Sequence, residues 1–118
     1  MTVLITGANR GIGLALAKQA AARGNAVIGT YRSFPGRERG IDWQALEVSD
    51  QASQRTLADR LGGQPLSLIV CNAGIYKDGG QTLESGFAPQ LWDETFAVNV
   101  KGVFLTVQTF LTNVRAGK

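Results

Sequence analysis

Short apolar runs alternate along this chain with longer stretches of helical period. Residues 2–6 and 26–31 are continuous, partly β-branched runs, the pattern of strands buried on both faces of a parallel sheet. Residues 43–48 and 66–71 predict a third and a fourth strand. Residues 11–23 predict a helix, with Ile12, Leu16 and Ala20 at helical spacing and Gly24-Asn25 as its stop. Residues 50–61 predict a second helix, N-capped by Ser49 or Asp50 and closed by Gly62-Gly63. The longest helical pattern covers residues 89–115. Phe96, Val100, Val103, Val107, Phe110 and Val114 mark one face of it, while Leu91, Phe104, Leu105 and Leu111 lie off that stripe. A helix apolar over more than one face is buried twice or packs on a partner. Residues 32–40, with Pro35, Gly36 and Gly40, predict a loop, and residues 75–88 a long surface loop of the kind that often carries function.

The resulting order, strand–helix–strand–strand–helix–strand–helix, is that of an α/β parallel sheet whose second crossover is reduced to a loop. With 118 residues, 44% of them apolar, the chain is one domain or part of one, with a true core. The net charge of +3 is too small to argue for nucleic acid, and no interleaved aromatics accompany it. The positive charge is uneven: Arg10, Lys18, Arg23, Arg32, Arg37 and Arg39 precede residue 40, opposed only by Glu38. That favours a local anionic partner. Cys71 is the single cysteine, so no internal disulfide forms, and the absence of histidine removes Ser–His–Asp and Cys–His chemistry and most zinc sites. The N-terminus does not read as a signal peptide, and no apolar stretch is long enough to span a bilayer. The expectation is a cytoplasmic protein without metal, nucleic-acid or membrane partners.

Three signals carry chemistry. The first is the turn Thr6-Gly7-Ala8-Asn9-Arg10-Gly11-Ile12-Gly13 between the first strand and the first helix. Glycines let a backbone approach a pyrophosphate, and a helix N-terminus offers free N–H groups and a favourable dipole. No Lys-Ser or Lys-Thr follows, so this is not a P-loop. The second signal is Arg32 at the end of the second strand, where an acid would favour a free ribose 2′-hydroxyl and an arginine a 2′-phosphate. With Arg10 it points to NADP rather than NAD. The third is Cys71-Asn72-Ala73-Gly74 after the fourth strand, small enough for a ring system to lie against the backbone, with the Asn72 amide placed to hold the turn.

Together, Gly7-x3-Gly11-x-Gly13, Asn72-Ala73-Gly74 and Asn99 resemble the short-chain dehydrogenase/reductase family over all 118 residues. The wording of the glycine turn is most similar to its carbonyl-reductase and C-factor-like branches. The resemblance implies a Rossmann-type doubly wound parallel sheet, strand order 3-2-1-4, with NADP across the turn held by Gly7, Asn9, Arg10, Gly11, Ile12, Gly13 and Arg32. It also implies that Glu47 and Val48 contact the adenine, although the family usually carries aspartate where this chain has Glu47. Asn72, Ala73 and Gly74 complete the cofactor site. Asn99 matches the helix asparagine of the catalytic tetrad, which organises a proton-relay water.

The family's reaction also uses a serine and a Tyr-x3-Lys pair after a fifth strand. Tyr31 and Tyr76 are the only tyrosines here, and neither has lysine four residues on. The chain therefore reads as the cofactor half of an oxidoreductase acting on a carbonyl or alcohol, ending before the fifth strand. Read that way, the 118 residues are inactive alone. A homodimer through the last helix is expected. The rival reading is a non-catalytic dinucleotide-binding sensor or scaffold.

Overall fold

A computed structural model of the protein describes residues 1–76 and 80–118. Of the loop expected over 75–88, residues 77–79 lie outside the described residues. Four strands form one parallel sheet: β1 (Thr2–Ile5), β2 (Ala26–Tyr31), β3 (Ile41–Ala45) and β4 (Leu68–Val70), in the order β3-β2-β1-β4. Helix α1 (Gly11–Ala22) links β1 to β2, and α2 (Gln51–Leu61) links β3 to β4. Neither helix nor strand forms across residues 32–40, the shortened crossover. The loop is organised by Trp43, whose indole N–H donates to the Glu38 carbonyl at 3.1 Å.

Both faces of the sheet are covered, as the continuous apolar strands require. Val3, Ile5 and Val27 face one way and join Ala8, Ala17 and Ile41 beneath α1. Leu4 and Ile28 face the other way, onto Leu46, Val48, Leu57, Leu61, Leu66, Val98 and Phe110. The alternation along β1 is the two-residue period of a strand, expressed in two cores at once.

Four sequence expectations need correction. The face of α1 that meets the sheet is Gly13 and Ala17, not Ile12 and Leu16, which are 75% and 39% exposed. Small side chains let the helix sit close to the sheet, whereas the large ones would hold it away. β3 begins at Ile41, two residues before the expected start, because Ile41 pairs with Val27. The apolar Leu46 and Val48, which read as strand, are buried in the connection to α2 instead. β4 covers three residues of the expected six. The N–H of Leu66 donates to the Asn113 carbonyl at 2.9 Å, outside the sheet ladder.

The fourth correction concerns residues 89–115. The segment is helical, as expected, but it is built as α3 (Pro89–Phe96), a π-helical turn (Ala97–Lys101), α4 (Gly102–Thr109) and α5 (Leu111–Ala116). The N–H of Gly102 donates to the carbonyl of Ala97, five residues back. One extra residue in a turn rotates everything beyond it by about 100°. The buried face is Val98, Gly102, Leu105, Thr106, Phe110 and Asn113. Phe96, Val100 and Val107 of the expected stripe are 55%, 57% and 49% exposed.

Candidate functional site

The glycine turn is built where β1 and β4, adjacent in the sheet, send their chains in different directions. This is the switch point at which open α/β sheets bind ligands. Thr6, at the end of β1 and 1% exposed, holds the two together. Its hydroxyl oxygen accepts from the N–H groups of Asn72 and Ala73, both at 3.1 Å. The side-chain amide of Asn72 donates to the Gly7 carbonyl at 3.0 Å. Thr30 of β2 anchors the turn from the other side, accepting from the Gly7 N–H at 3.1 Å through its hydroxyl. Its carbonyl accepts from the Ala8 N–H at 2.9 Å.

The glycines have separate physical reasons. Gly7 has φ +63°, and a Cβ there would lie 2.8 Å from the Ala73 Cα. A Cβ on Gly13 would press into the Gly7 carbonyl and stand 2.5 Å from the Asn72 amide nitrogen. Gly11 has φ +59° but open space where its Cβ would be, so its freedom is conformational.

Beyond the turn lies a cavity of about 810 Å³. Gly7, Asn9, Arg10, Gly11, Ile12, Arg32, Val48, Asn72, Ala73 and Gly74 line it, so ten of the residues singled out in the sequence come to one place. Gly13 lies beneath the turn, buried. Glu47 stands beside the cavity, 3.5 Å from the Nε of Arg32 through its Oε2. The Val48 carbonyl already accepts from the Gln54 amide at 3.1 Å.

Asn99 lies in the π-helical turn and is exposed, not enclosed by apolar neighbours. Both ends of its amide are used: Oδ1 accepts from the Ile75 N–H and Nδ2 donates to the Ile75 carbonyl, each at 2.9 Å. A Cβ on Gly74 would lie 3.2 Å from that Oδ1. Asn99 thus pins the strand-end loop just after Asn72-Ala73-Gly74.

Sequence reasoning missed Thr6 and Thr30 as supports, and Tyr31, Ser33, Phe34, Ile75, Tyr76 and Val98 as lining residues. A polar residue ending an apolar strand was the available signal for the two threonines. No pattern marks the loop residues, because Phe34 is placed by its carbonyl, which accepts from the Asn9 amide at 3.0 Å.

The electrostatics favour an anion. Asp50 caps α2, its carboxylate accepting from the Ala52 N–H at 2.9 Å. At the head of α1, Arg10 makes no side-chain cap and no acidic residue occupies the first turn. The first N–H groups of that helix and two guanidinium groups therefore border one cavity. Burial pushes the Cys71 thiol up, which keeps it protonated and unreactive near neutral pH. Among the described residues, no cluster of His, Cys, Asp or Glu is placed to hold a metal ion.

The model of the short chain dehydrogenase family matches residues 1–118. The chain belongs to the short-chain dehydrogenase family. It is 34% identical over 110 residues to the 3-oxoacyl-[acyl-carrier-protein] reductase FabG of Escherichia coli, an alignment covering 86% of this chain and 44% of that protein. The NADPH-bound carbonyl reductase from chicken fatty liver superposes with a TM-score of 0.80 at 29% identity, over 98% of this chain and 52% of that one. The 3-ketoacyl-(acyl-carrier-protein) reductase from Brucella melitensis, complexed with NADH, superposes with a TM-score of 0.84 at 28% identity, over 95% and 49%. The chain spans about half the length of the curated relatives it matches. Its four-stranded parallel sheet with flanking helices is the Rossmann-type fold these short-chain dehydrogenases share.

Proposed function

We propose that the cavity binds NADP(H) and that the protein is an oxidoreductase acting on a small carbonyl or alcohol substrate. The observation that carries this is the uncapped head of α1 facing the same cavity as Arg10 and Arg32. The residues fit a dinucleotide. Glycines at 7 and 13 leave no room for a Cβ, and the turn offers backbone N–H groups to a pyrophosphate. The guanidinium groups suit a 2′-phosphate.

When bound, the nicotinamide supplies or takes up the hydride. The chain's own residues position it. Gly7, Asn9, Gly11, Ile12 and Gly13 shape the phosphate cradle, and Arg10 and Arg32 meet the 2′-phosphate. Val48 borders the adenine side, and Asn72, Ala73 and Gly74 form the floor toward the nicotinamide. Asn99 acts through the loop it pins, keeping the Ile75 backbone in register with that floor. The reading extends to a cytoplasmic enzyme that assembles through the exposed face of its last helices, where Phe96, Val100 and Phe104 border a groove of about 610 Å³.

Direct titration of the full chain with NADPH and NADH tests the cofactor reading. NADPH is expected to bind more tightly, and Arg32→Asp to narrow or reverse the preference. Equal or tighter binding of NADH by the unaltered protein overturns the choice of NADP.

A further inference from the structure

Arg32 is not free at the end of β2. Its contact to Glu47 uses Nε, at 3.5 Å from Oε2, and leaves the two terminal nitrogens as donors. Glu47 is itself held in place. The Ser49 hydroxyl donates to its Oε1 at 3.1 Å, and its N–H donates to the Ser53 hydroxyl oxygen at 2.9 Å, on the first turn of α2. The carboxylate is thus seated beside the cavity rather than sweeping through solvent, although the Glu47 and Arg32 side chains are 39% and 51% exposed.

That seat has a consequence for ligand choice. A 2′-phosphate approaching Arg32 meets a pair with no net charge, and a carboxylate that repels it. A 2′-hydroxyl carries no charge and is not repelled by the carboxylate. We infer that Glu47 is a specificity-setting residue: by pairing with Arg32 it restrains the site's preference for a 2′-phosphorylated over an unphosphorylated dinucleotide. The inference rests on the dinucleotide reading above. It makes the selectivity a property of two side chains on adjacent strand ends, rather than of Arg32 alone.

The test is calorimetric binding of NADPH, NADH, adenosine 2′,5′-bisphosphate and AMP to the full chain and to Glu47→Gln. Glutamine keeps the shape and the hydrogen bond but removes the charge. The variant is expected to bind NADPH and the bisphosphate about two- to fivefold more tightly, the scale of a partly exposed ion pair. NADH and AMP should stay within about twofold, and the gain should shrink as salt rises. It should also shrink in an Arg32→Ala background, as expected for coupled residues. Glu47→Asp, which draws the carboxylate back by one methylene, should move the same way by less, and it carries the test if the glutamine variant folds poorly. An unaltered protein that binds NADPH, with both variants no tighter, overturns the role of Glu47 alone. An unaltered protein that binds none of the four ligands overturns the dinucleotide reading and this inference with it.

Discussion

At residue scale, the glycine turn is governed by close approach. Gly13 sits where α1 meets both the Gly7 carbonyl and the Asn72 amide. Gly13→Ala therefore forces the helix away from the turn. Overpacking of this kind costs about 1–3 kcal/mol, to be read from denaturant midpoints, and the same variant should weaken NADPH binding. Gly11 offers a contrast, since nothing lies within 4 Å of where its Cβ would be. Gly11→Ala should lose only about 1–2 kcal/mol, from the left-handed backbone. If Gly11→Ala proves as damaging to folding and binding as Gly13→Ala, close approach is not what fixes Gly13. Asn72 and Thr6 show why position outweighs type here. An Asn-Ala-Gly turn is common in composition, but this one is held by two N–H groups donating to a buried threonine from 66 and 67 residues away in sequence.

At the scale of elements, the last helices show how polar residues can build a core. Thr106 and Asn113 are 1% and 5% exposed on the buried face. The Gln54 amide donates to the Thr106 hydroxyl oxygen at 2.8 Å, tying α2 to α4. The Asn113 amide donates to the carbonyls of Gly62 and Gln64, at 3.0 and 2.8 Å, fixing the connection from α2 to β4. Asn113→Leu keeps the volume but removes the donor to both carbonyls. It is expected to lose about 1–3 kcal/mol, the scale of two hydrogen bonds, measured by chemical denaturation. A loss below half a kilocalorie would mean that water replaces the amide. The helical period of residues 89–115 was legible, and so was the fact that it carries more than one apolar face. The face that faces inward was not. A periodicity count scores Thr106 and Asn113 as outward residues, and it has no means of seeing the extra residue in the Ala97–Lys101 turn.

At the scale of the whole molecule, the last helices leave Phe96, Val100, Phe104, Val107 and Leu111 exposed along one side. A contiguous apolar strip of this kind marks an interaction surface. In the proposed homo-oligomer the strip is covered by its symmetry mate. Phe104→Lys in the full chain should then shift the protein toward monomer in light scattering while leaving NADPH affinity within about twofold, because Phe104 lies outside the dinucleotide cavity. An unaltered protein that is already monomeric at micromolar concentration overturns the oligomer.

The sequence by itself determined the α/β class, the parallel strands, the glycine turn and the small set of residues able to meet an anion. Each of these rests on local chemistry: β-branched apolar runs, helix stops, and glycines with no side chain. It also carried the family likeness that the family match bears out. Only the tertiary structure decided which face of α1 and of the last helices turns inward, because burial depends on what stands opposite. Only tertiary structure set Glu47 beside Arg32, since two residues fifteen apart on neighbouring strand ends meet through the β2–β3 register and through nothing nearer in the chain.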